Sequence, residues 1–242
     1  ELKEPFDSFF ADPMRRTRDG ERVKSGEDYS PALSFLLALN IGSLRAIKVS
    51  PGLFVDPCPD GWTRQFVGCG DECLEQTLWF GGPVPDSSIV VTDRDASWAP
   101  SSTEPRLLCA DSLEGFIVEA HATINRCQKL DCFFSERGIQ PVDHDVAYGI
   151  TAQQPQPSPL FTSYRILGSF PYSKKQLKKE LHNLQWSTRT EFKKRSFSGD
   201  IEQIRAELDL PDHTHTSPFG VVFFFRYHGK PWALLAERLY AR

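Results

Sequence analysis

The chain has little of what would declare its class. No run in its 242 residues approaches the ~18 consecutive apolar side chains of a membrane span. Its first twenty residues carry charges where a leader peptide would be apolar. Six cysteines (Cys58, Cys69, Cys73, Cys109, Cys127 and Cys132) are too sparse for a disulfide scaffold and read as free thiols. The three asparagines, Asn40, Asn125 and Asn183, begin no glycosylation sequon. These shortages predict a chain with no membrane insertion and an intracellular home, cytoplasmic or nuclear. Catalytic signatures are missing too: there is no Gly-x-Ser-x-Gly elbow, Walker loop, dinucleotide fingerprint or His-Glu-x-x-His. No cofactor is therefore expected.

What is present is an ordinary globular balance, 40% hydrophobic and 25% charged, with a net charge of −4. Residues 1–28, dense in mixed charge after residue 12, predict a mobile segment. A short helix follows over 31–39, opened by Ser30-Pro31 and ended by Asn40 and Gly42. Strands are expected at Leu44–Val49, Leu53–Val55, Trp62–Val67, Thr77–Phe80, Ile89–Thr92 and Arg106–Cys109. Asp111, with Glu114 three residues on, predicts a helix burying Leu113, Phe116, Ile117, Ala120 and Ile124.

Three prolines at alternate positions in 153–159 deny helix and central strand, so 151–160 reads as a linker or crossover between domains 29–150 and 161–242. Beyond it come a strand at Phe161–Leu167 and a long helix over 173–195 with Leu177, Leu181, Leu184, Thr188 and Phe192 on one face. Asp200 and Gln203 cap a second helix, and a hairpin turns at His228-Gly229. The expected class is α+β: antiparallel sheets with helices on one side, in two halves of similar size.

Three constellations could carry chemistry. His144-Asp145-Val-Ala-Tyr148 is similar to the His-Asp-x-x-Tyr core of phospholipase A2 enzymes, where histidine activates water; here Pro141 and Gly149 flank it and no glycine-rich calcium loop precedes it. A polar loop ending in a packed tyrosine is the plainer reading of His144 and Asp145. Cys69 and Cys73 have the pitch of two zinc ligands, with Cys58, Cys127, Cys132 or His121 to complete a site, and His213-x-His215 is a second pair. No second tight Cys-x-x-Cys or His-x-x-x-His pair exists, and His213 and His215 read more plainly as a solvated loop, so no metal is expected.

The sharpest asymmetry is basic. Lys174, Lys175, Lys178, Lys179, Arg189, Lys193, Lys194 and Arg195 face only Glu180 and Glu191 between 173 and 195, a local +6 against about −10 elsewhere. Such a helix can bind phosphates or an acidic partner, with Trp186 and His182 for stacking, or be the solvated face of a docked helix.

Ile89-Val-Val-Thr-Asp-Arg-Asp95 and Arg106-Leu-Leu-Cys-Ala-Asp-Ser-Leu-Glu-Gly-Phe-Ile117, with the helix before Asn40-Ile-Gly42, resemble the closing strands and helix of the SUKH superfamily over about 30–125. That superfamily groups a fungal cell-wall regulator, bacterial immunity proteins and the herpesvirus US22 proteins, so an immunity, regulatory or host-defence-antagonist role is implied. The resemblance implies a non-enzymatic module that binds another protein. The alternative is an enzyme or binder acting on nucleic acid or a phosphate-bearing substrate through the basic helix.

Overall fold

The computed structural model describes residues 7–16, 19–21, 23–53, 58–101, 105–144, 146–212, 214, 216 and 218–240. The chain divides into two compact units, 1–103 with 121–130 and 104–120 with 131–242. Residues 151–160 thus lie inside the second unit.

The first unit is built on a six-stranded sheet. Its strands are β1 (Ser8–Ala11), β2 (Leu44–Val49), β3 (Trp62–Cys69), β4 (Glu72–Phe80), β5 (Ser88–Val91) and β6 (Ala96–Trp98), in the order β1-β2-β4-β3-β5-β6. Helix α1 (Leu33–Ala38) lays Leu33 and Leu36 into a core with Ile47, Val49, Trp62 and Leu78. Alternation explains the strands: β3 buries Trp62, Arg64, Phe66 and Gly68 at every second position. The segment expected to be mobile contributes β1, which pairs in parallel with β2. Of the expected strand at Leu53–Val55, positions 54 and 55 lie outside the described residues.

The second unit carries β7 (Phe116–Ala120), β8 (Gln140–Asp143), β9 (Val146–Thr151), β10 (Phe161–Pro171), β11 (Glu191–Lys194), β12 (Val221–Tyr227) and β13 (Lys230–Arg238). They form one seven-stranded sheet in the order β11-β12-β13-β10-β7-β9-β8. In sequence β7 is followed by α2 (Ala122–Arg126), which belongs to the first unit, and by α3 (Leu130–Ser135), while α4 (Lys174–Asn183) and α5 (Ile201–Leu208) flank β11. Leu177 and Leu181 of α4 and Ile204 and Leu208 of α5 bury against Val222, Phe224, Ala233 and Leu235 of the sheet.

The opposite face of this sheet curls. Tyr148 on β9 meets Phe223 on β12 with ring centroids 5.0 Å apart. Four strand spacings separate those strands, roughly 19 Å in a flat sheet. The sheet must therefore coil into a trough lined by Ile117, Tyr148, Tyr164, Phe223 and Leu234. Part of the turn comes from β10, whose pairing with β13 shifts register between Ile166 and Gly168.

Three expectations need correction. Both sheets are mixed, not antiparallel throughout: β1 with β2, β3 with β5 and β11 with β12 run parallel. The helix expected from Asp111 is instead strand β7, preceded by Gly115 at φ 80, where a Cβ would fall 2.6 Å from the Thr151 carbonyl oxygen. The β-prone run Phe116-Ile-Val outweighs a helical period that its spacing also satisfies. The long helix over 173–195 ends at Asn183. Gln185 turns the chain at φ 55 and drives Trp186 into the core.

Candidate nucleic-acid interface

Ser173 caps α4 by accepting from the Gln176 amide, which fixes where the helix begins and which way each lysine points. With Leu177 and Leu181 buried, positions four apart fall into stripes. Lys174 and Lys178 face α5, where Lys174 pairs with Glu207 and Lys178 lies 3.6 Å from Asp209. Lys175 and Lys179 form the next stripe, exposed and without an ion-pair partner among the described residues. Over 173–212 nine cations meet seven acids, so the local +6 falls to +2 once α5 is included. What survives is a direction, a positive stripe pointing away from α5.

The remaining cations belong to the strand and its approaches. The Arg189 guanidinium lies 4.1 Å over the Phe219 ring, which is 45% exposed. Lys193 pairs with Glu119 across the mouth of the trough, where Glu119 also accepts from the Tyr164 hydroxyl at 3.1 Å. Lys194 donates to the Gly199 carbonyl at 3.2 Å, and exposed Arg195 sits near the Tyr148 hydroxyl. Burial, with Glu119 nearby, pushes both tyrosines well above the ordinary phenol range.

Trp186 cannot stack on a base. It is 2% exposed, against Gly220, where a Cβ would lie 2.2 Å from the indole. The exposed aromatic of this region is Phe219, which no periodicity marks because it stands in a coil before β12. His182 remains exposed at the end of α4.

Among the described residues the His144 string is not drawn together. His144 sits exposed at the turn between β8 and β9, 3.9 Å from Asp131; Asp145 lies outside the described residues. Tyr148 points into the trough instead, edge-on to Phe223 and Phe225. No group of three or more metal-ligating side chains occurs among the described residues, where none of the six cysteines forms a disulfide. Burial pushes the Cys73 thiol up to about 11 and the Cys127 thiol up to about 12. His213 and His215 fall outside the described residues. Among the described residues no helix is long and apolar enough to cross a membrane.

Residues 161–238, which include α4, β11 and α5, match the family model described as THUMP domain-like. No curated protein matches the chain. Among solved structures it resembles one from Porphyromonas gingivalis W83, described provisionally as a methyltransferase. The TM-score is 0.74 at 16% identity, over 97% of this chain and 60% of that one. These findings overturn the SUKH resemblance and, with it, the expectation of a non-enzymatic protein-binding module; the strands that suggested it, β5 and β7, belong to different sheets. The chain spans less than two thirds of the length of that P. gingivalis protein, shares its fold, and is similar over residues 161–238 to the THUMP-like family.

Proposed function

We propose that this chain binds RNA and serves the substrate-recognition part of an RNA-modifying enzyme, with methyl transfer as the modification. The observation that carries the reading is the unpaired stripe of Lys175 and Lys179 inside the THUMP-like residues 161–238, since THUMP domains bind RNA. Lys194, Arg195 and the Arg189–Phe219 pair are further exposed groups within the same residues 161–238, the last offering a face on which a base can stack. Lys174, Lys178 and Lys193, held by acids of the same unit, shape the stripe and contact phosphate less. The alternative set out from the sequence, a nucleic-acid ligand at the basic segment, becomes the main reading, and an RNA ligand fits an intracellular home. The modification chemistry rests on the name of the P. gingivalis protein, of which this chain spans 60%.

Titrating the chain with structured RNA across a salt series tests this. Affinity falls linearly in log–log form as phosphate contacts release counterions. The double variant Lys175→Glu/Lys179→Glu is expected to lower affinity by about tenfold or more at low salt and to reduce the slope by about two. Absence of binding at low salt refutes the reading.

A further inference from the structure

The glutamine- and proline-rich run that reads as a linker has a structural role. After Thr151 the chain leaves β9, and Pro155, Pro157 and Pro159, lacking N–H donors, keep it from joining the sheet edge. It stands away from the start of β8 and leaves a groove of about 710 Å³, within the usual range for small-ligand sites. Its outer wall is fixed: Gln154 donates its side-chain amide to the Tyr240 hydroxyl at 3.0 Å, and that hydroxyl donates to the Pro155 carbonyl at 3.0 Å.

The lining is chemically uneven. Gln140, Gln153 and Gln156 present exposed amides with no hydrogen-bond partner among the described residues. One cation stands in the opposite wall. Arg137 lies 3.8 Å over the Phe133 ring and donates to the Phe133 carbonyl at 2.9 Å. It also donates to Glu136 at 3.3 Å. Phe161, half-buried, completes the floor. Primary amides match the paired donor and acceptor edges of a nucleobase, and a guanidinium matches phosphate.

We infer that this groove receives one unpaired nucleotide of the RNA, its base edge against the glutamine amides and its phosphate toward Arg137. The inference rests on the RNA reading and assigns the lysine stripe and the groove different work. The stripe holds backbone charge regardless of sequence, whereas the groove reads a base that must be out of a helix.

Two fluorescein-labelled probes separate these roles, an unstructured adenine-rich decamer and a fully paired duplex of the same length. Gln153→Ala/Gln156→Ala, both exposed and outside any element, is expected to weaken the decamer three- to tenfold, leaving the salt slope and duplex binding unchanged. Arg137→Lys, which keeps charge but loses the fork, should also weaken the decamer selectively. If both variants bind the decamer as tightly as the parent while Lys175→Glu/Lys179→Glu still loses affinity, the groove assignment falls and RNA binding stands. If the parent binds neither probe at low salt, both readings fall.

Discussion

The two units solve the same problem, covering a sheet, in different ways. The second rolls its sheet until Tyr148 and Tyr164 both meet Phe223 at 5.0 Å, so its strands bury one face against themselves. In the first, α1 covers one part of the sheet and the segment opening α2 latches another. His121 caps α2 through Nδ1, which accepts from the Thr123 amide, and its Nε2 donates to the Gly70 carbonyl at 2.9 Å. Gly68 is needed there, because a Cβ would come within 2.7 Å of the imidazole. Charge divides as well: by sequence the first unit holds twelve cations and sixteen acids, the second sixteen of each. A self-closed apolar trough leaves the outer helices free to sort charge into stripes, while an open sheet relies on a polar latch that must stay neutral.

Breaking the trough should give the largest effect. Phe223→Ala removes the ring shared by Tyr148 and Tyr164 and is expected to cost about 3–5 kcal/mol, read as a fall in the urea midpoint. Gly220→Ala is next. Its methyl would meet the Trp186 ring and, at 2.7 Å, the Ala236 carbonyl, neither able to move, so a loss of about 1–3 kcal/mol is expected from thermal unfolding. The smallest effect sharpens the contrast from the other unit. Burial holds the His121 pKa below its ordinary 6.5, outweighing the nearby Asp71 and Asp93, while Arg94 adds to the depression. The latch therefore contributes its full stability above about pH 6.5 and loses it as pH falls through the folded value. The protection factor of the Thr123 amide, its exchange rate relative to the intrinsic rate at each pH, should fall on acidification, and His121→Gln should abolish that pH dependence; an unchanged protection factor would contradict the latch.

Legibility also differed between the regions. β2 matches its expected span Leu44–Val49, and the β12–β13 hairpin turns at His228-Gly229, both at positive φ, because local chemistry alone decides those elements. Asp200 caps α5 as its spacing indicates, accepting from the Glu202 and Gln203 amides. β7 was not legible, because Leu113, Phe116, Ile117, Ala120 and Ile124 satisfy a helical period while the sheet takes Phe116–Ala120. The hairpin of β8 and β9 was hidden by polar residues at its turn. At the candidate site the lysines were plain, but their division into held and free stripes was not. It depends on Glu207, 33 residues from Lys174, and no local pattern reports a partner that distant.

The rolled sheet also sets an order of assembly. The β8–β9 and β12–β13 hairpins join neighbours in sequence and can form early, whereas Glu119 and Lys193, whose pairing spans the mouth, are 74 residues apart. The ion pair across the mouth forms only once β11 lies beside β12. Until then the aromatic interior of the half-made trough is open to other chains, and its edge at β12 is unpaired. The strand that carries Lys193 and Lys194 is thus also the one that covers the open edge of β12.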